Sequence, residues 1–97
     1  MRIKFPPQNQ FVRPYRLNAL IKNLKRPTRY LEIGVNRAET MFQVKASASV
    51  GVDPKPQFDL RELSGHMRIF TMTSDKFFSE EAKDLAFDLV FLVGLHE

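Results

Sequence analysis

The chain has no cysteine, which excludes a disulfide framework and any thiolate metal site and is compatible with a reducing cytoplasm. No stretch approaches the roughly 18 to 20 apolar residues of a membrane helix. The start, Met1-Arg-Ile-Lys-Phe-Pro-Pro7, meets prolines before a signal-like apolar region develops. A soluble, unexported, cytoplasmic protein with no membrane partner is expected. Only 4 glycines are present, and none forms Gly-x-Gly-x-x-Gly after the first apolar run, which speaks against a dinucleotide-binding oxidoreductase. Internal repeats and low-complexity tracts are also missing.

Acidic residues are outnumbered 11 to 15, and the positive ones crowd the front at Arg2, Lys4, Arg13, Arg16, Lys22, Lys25, Arg26 and Arg29. Such a cluster could touch nucleic acid. It lacks the aromatic interleaving that stacking on bases uses, so a solvated face is expected and nucleic acid is not an expected partner. What remains is 97 residues, 43% hydrophobic and 11% aromatic, enough for one modest core. One domain, or part of one, is the limit.

Three of the 6 prolines fall within residues 1–14, so the chain opens as an irregular arm. From Tyr15 to about Lys25, Leu17, Leu20, Ile21 and Leu24 recur at helical spacing, and Pro27 prevents continuation. Residues 1–29 therefore read as an arm followed by an amphipathic helix. Tyr30 to Ile33 reads as a strand closed by Gly34, and about Ala38 to Ala46 as a crossover helix. Val50 to Asp53 reads as a second strand that Pro54 and Pro56 end.

A helical turn is expected near Asp59 to Leu63, then a third strand over His66 to Met72, with His66 a surface histidine. Ser74 to Phe78 reads as a loop or single turn. Ser79 reads as the N-cap of a short helix reaching about Leu85, with Glu80 and Glu81 loading its first turn. The nearly continuous apolar run Phe87 to Val93 reads as a strand covered on both faces, ended by Gly94. Four strands joined by helical or long connections predict an α/β fold with a parallel sheet and right-handed crossovers.

Ligands of such sheets sit at the carboxyl ends of the strands, near the point where strand order reverses. The chain would converge there with Gly34 to Ala38, Asp53, Ser74 with Asp75, and Gly94 to His96. Gly34 lets backbone approach a ligand or take positive φ, and amides at the next helix start can receive an anion. Asp53, 21 residues after Glu32, has acceptors suited to paired ribose hydroxyls. An acid after a strand also serves as a plain cap or loop residue. Asp75 could accept from the exocyclic amine of an adenine. Glu32, in the middle of a strand, is costly without a partner, which marks it as functional or as supporting a functional group.

These runs, Tyr30-Leu-Glu-Ile-Gly-Val35, Val50-Gly-Val-Asp-Pro54, Met72-Thr-Ser-Asp-Lys-Phe-Phe78 and Phe87-Asp-Leu-Val-Phe-Leu-Val-Gly-Leu-His-Glu97, together resemble the class I S-adenosylmethionine-dependent methyltransferases, and within them the small-molecule O-methyltransferase-like group. The resemblance implies a Rossmann-like three-layer sandwich of which residues 30–97 form the first half, truncated after strand four. It implies that Glu32 and Gly34 shape the pocket for the methionine part of S-adenosylmethionine, with Asn36 among the cofactor-binding residues. Asp53 would bind the ribose, Ser74 and Asp75 would lie by the adenine, and a small molecule would be the methyl acceptor.

Two departures from the family's motifs are visible. Asn36 and Ala38 stand where the family often has glycines. Val93 replaces an acid that holds a divalent cation in metal-dependent relatives, so no metal is expected. His96 matches the family's histidine and is the candidate catalytic residue, although this chain alone is expected to be inactive. The apolar strand Phe87 to Val93, left at an edge, is expected to drive self-association. The competing expectation is a non-enzymatic interaction module that at most binds the nucleoside.

Overall fold

The computed structural model describes residues 14–92; the N-terminal arm, Val93 and His96 lie outside the described residues. Helix α1 spans Pro14–Leu24. Proline at its start costs no hydrogen bond, because the first amides of a helix have no intrahelical partner. Leu17 is fully buried, Ile21 is half-buried beside it, and Leu20, which its spacing assigned to the buried stripe, is 36% exposed. Lys25, at φ 54°, takes the left-handed conformation that ends a helix.

Four strands follow: β1 (Arg29–Ile33), β2 (Ala48–Val52), β3 (Met67–Phe70) and β4 (Leu89–Leu92). They form one parallel sheet in the order β3-β2-β1-β4, the α/β architecture expected from the sequence, in its partial, Rossmann-like form. Glu32 sits beside Gly51 of β2 and Phe91 of β4 in the register. Side chains alternate between the two faces of the sheet. Tyr30 and Leu89 pack with Leu17 and Val44 on one face. Leu31, Ile33, Val52 and Val90 pack with Phe77, Ala82 and Phe87 on the other. No helix among the described residues is long and apolar enough to cross a membrane.

The connection from β1 to β2 is tighter than its periodicity predicts. The crossover helix expected over 38–46 is only a single 3₁₀ turn, Met41–Gln43. Ala38 is at φ 65°, outside helical space. Downstream, Asn18 of α1 donates from Nδ2 to the Gln43 carbonyl (3.0 Å) and accepts the Lys45 amide on Oδ1 (2.7 Å). Those are backbone groups a longer helix would have used, so the turn stops there. Met41 and Val44 still reach the core at a spacing of three, as 3₁₀ geometry allows.

A second correction concerns the segment before β4. Ser79 is not an N-cap. The Thr73 hydroxyl accepts the Lys76 amide (3.2 Å) and starts a short helix, α2, at Ser74–Lys76, five residues before the expected cap. The Ser79 hydroxyl instead donates back to the Lys76 carbonyl (3.1 Å). The chain then widens into a π turn over Phe77–Glu81 and a 3₁₀ turn over Ala82–Asp84. That widening puts Phe77 and Ala82, five residues apart, into one core, where Phe77 meets Phe70 edge-on at 5.2 Å.

The ends of β3 and β4 also retract, while β1 and β2 begin one and two residues earlier than expected. His66 is exposed just before β3. Phe87 packs against Phe77 at 6.4 Å, and Asp88 accepts the Arg29 amide (2.9 Å), so β4 begins only at Leu89.

Candidate functional site at the carboxyl end of the first strand

The connections β1 to β2 and β2 to β3 bring Val35, Ala38, Met41, Phe58 and Leu63 against Met67 and Ile69. The connection from β3 to β4 covers the opposite face through Phe77, Ala82 and Phe87. Strand order therefore reverses between β1 and β4, the place where an open α/β sheet leaves a crevice.

At the carboxyl end of β1 the backbone takes three positive φ values in five residues, Gly34 at 83°, Asn36 at 55° and Ala38 at 65°. Glycine enters this region freely, asparagine enters it several-fold more often than most residues, and alanine does so at a cost of about 1–2 kcal/mol. The surroundings hold the turn. The Gly34 amide donates to the Val52 carbonyl (2.8 Å) and the Gln57 amide to the Asn36 carbonyl (2.8 Å).

Asp53 is the central brace. Its Oδ2 accepts the Asn36 amide and its Oδ1 accepts the Lys55 amide, each at 2.8 Å. It is only 6% exposed. Any ribose would have to use lone pairs those amides leave over.

This turn walls a cavity of about 380 Å³. Glu32 lies at its base, Val35, Asn36 and Arg37 come from the strained turn, and Glu39, Thr40 and Gln57 complete it. Gly51 explains how the turn lies so close to the sheet. A Cβ there would stand 2.6 Å from both Ile69 Cδ1 and Val35 Cγ2, closer than packed carbons approach.

Glu32 is 1% exposed, and the fully buried Tyr30 donates its hydroxyl to Glu32 Oε1 at 2.6 Å. Burial pushes the Glu32 carboxyl up to about 7, although the Tyr30 hydrogen bond pulls the other way. Burial, and then the neighbouring carboxylate, drive the Tyr30 phenol well above its ordinary range, so Tyr30 keeps its proton and acts as donor.

Of the residues singled out in the sequence, Glu32 and Asn36 line the cavity, while Gly34 and Asp53 build the turn that walls it. Ser74 and Asp75 begin α2 beyond β3, and neither lines the cavity. His96 is outside the described residues. Sequence reasoning missed Tyr30, Arg37, Glu39, Thr40 and Gln57. The signal for Tyr30 was present, since it stands two residues before Glu32 and so on the same face of the strand. Among the described residues no group of three or more His, Asp or Glu side chains could hold a metal ion. No protein-family model, no curated protein and no solved structure matches this chain.

Proposed function

We propose that the chain is the cofactor-binding half of an S-adenosylmethionine-dependent methyltransferase whose acceptor is a small molecule. One observation carries it: the cavity at the carboxyl end of β1 has a buried carboxylate, Glu32, in its lining and a left-handed turn as its wall. The four sequence runs that resemble the family lie in the same order along the chain.

The donor set suits the amino-acid end of such a cofactor. Glu32 and Glu39 offer carboxylates to an ammonium, and Asn36, Thr40 and Gln57 offer neutral polar groups. A volume near 380 Å³ is at the small end of the roughly 300–1,000 Å³ typical of ligand pockets, room for part of the cofactor. When bound, the cofactor supplies an electrophilic methyl group, whose bond to sulfur breaks as the acceptor's oxygen or nitrogen bonds to carbon. The chain's own share is positioning, which can account for much of the rate of such a transfer. A cytoplasmic setting belongs to the same proposal and suits a chain without cysteine.

Calorimetric titration with S-adenosylhomocysteine tests it. Saturable heat, weakened by Glu32→Gln, is expected; no heat at any concentration would leave the fold as a scaffold only.

A further inference from the structure

The side chain that the cofactor proposal leaves unused is Arg37. It lines the cavity together with Glu32 and Glu39, yet makes no ion pair and no side-chain hydrogen bond among the described residues. A free guanidinium beside two carboxylates at a cavity wall is not held there by its neighbours. The backbone holds it.

Asn36 and Ala38, on either side of Arg37, are both left-handed. Each of their positions is pinned: the Asn36 amide by Asp53, the Asn36 carbonyl by the Gln57 amide, and the Ala38 amide by the Val35 carbonyl at 2.9 Å. Two strained non-glycine residues in a braced turn fix where residue 37 leaves the backbone, and strain of this kind persists where the surroundings over-determine it.

The charges of the lining choose a ligand class. Glu39, joined by Glu32 once its buried carboxyl ionises, disfavours a phosphorylated nucleotide, which would have one cation to meet several negative charges. A zwitterion meets the lining sign for sign, its ammonium at the carboxylates and its carboxylate at the guanidinium, where the fork geometry of arginine allows two parallel hydrogen bonds. We propose that Arg37 is a specificity-determining residue that anchors the carboxylate of an amino-acid-bearing nucleoside. This rests on the cofactor proposal and adds to it the residue that tells the complete cofactor skeleton from one lacking its amino-acid end.

The test compares S-adenosylhomocysteine with 5′-methylthioadenosine, which lacks the ammonium and carboxylate, by calorimetry on the wild-type chain, Arg37→Gln and Arg37→Lys. Wild type should prefer S-adenosylhomocysteine, and Arg37→Gln should weaken that ligand on the order of tenfold while leaving 5′-methylthioadenosine unchanged. Arg37→Lys should recover part of the loss, because charge returns without the fork. Thermal melts of the three proteins should coincide, since Arg37 is exposed and without a partner among the described residues. If Arg37→Gln weakens both ligands equally, or neither, the anchor is overturned and the cofactor proposal stands. If wild type binds neither nucleoside, the cofactor proposal falls and takes the anchor with it.

Discussion

The Tyr30 hydroxyl donates to Glu32 Oε1 at 2.6 Å across one repeat of the same strand, and both side chains are withdrawn from water. This pair makes stability depend on pH in a definite direction. The unfolded Glu32 loses its proton near pH 4.5 and the folded one near about 7. Between those values the native state holds a proton that the unfolded state has released, so stability falls as pH rises, by up to about 1.4 kcal/mol per unit. It is greatest below the unfolded value and levels off above the folded one. Urea melts at pH 5 and pH 8 should differ by about 2–3 kcal/mol in favour of pH 5, and Glu32→Gln should remove most of the difference. Equal stability at both values in the wild type would contradict the assignment.

Asp53 serves the turn before it serves any ligand. Asp53→Ala leaves the Asn36 and Lys55 amides without the carboxylate that accepts them, at a cost of about 2–4 kcal/mol for two charge-assisted bonds. Denaturant melts check this. A loss below about 0.5 kcal/mol would mean that the turn holds itself.

Gly51→Ala should be costly for a reason unrelated to backbone conformation. The new methyl would press on Ile69, Val35 and Met41 and destabilise by about 1–3 kcal/mol, as overpacked cores do. Because Val35 also lines the cavity, ligand affinity should fall with it; an unchanged melting temperature would show that the crossover has room to move.

The sheet was legible in the sequence because its signals are local. Apolar runs at Tyr30 to Ile33 and Val50 to Val52 are bounded by Gly34 and Pro54, and each run alone says strand. The left-handed tolerance of Asn36 could be read in the same way, from residue type. The turn expected near Asp59 to Leu63 is there, over Leu60–Glu62 with Asp59 as its cap, a signal as local as those of the strands. The extents of the first and last connections were not legible, because their ends are set by distant groups. Asn18, 25 residues before Gln43, stops the first crossover, and nothing in residues 38–46 announces it. Thr73 outcompetes Ser79 as a cap because Phe77 must reach the core. The cavity mixes the two cases: Glu32 stood out as a carboxylate inside a strand, whereas Arg37 and Gln57 acquire meaning only when the turn folds back.

Among the described residues no strand pairs with the outer edge of β4, and Leu92 at its end is 41% exposed. Such an edge can recruit the edge of another copy. Light scattering at micromolar concentration should therefore find an assembly, and a clean monomer with one cooperative melt would refute it.

A nucleoside cofactor bound at the carboxyl end of β1, as proposed, would touch a defined set of backbone amides. Titrating ¹⁵N-labelled protein with S-adenosylhomocysteine and following backbone amide shifts by NMR tests it most directly. Shifts should concentrate at Glu32, Gly34 to Thr40 and Gln57, the residues of the cavity and its braced turn. No shifts at millimolar ligand, or shifts confined to the groove at the opposite end of the sheet around Arg26, Arg29 and Ser47, would contradict it.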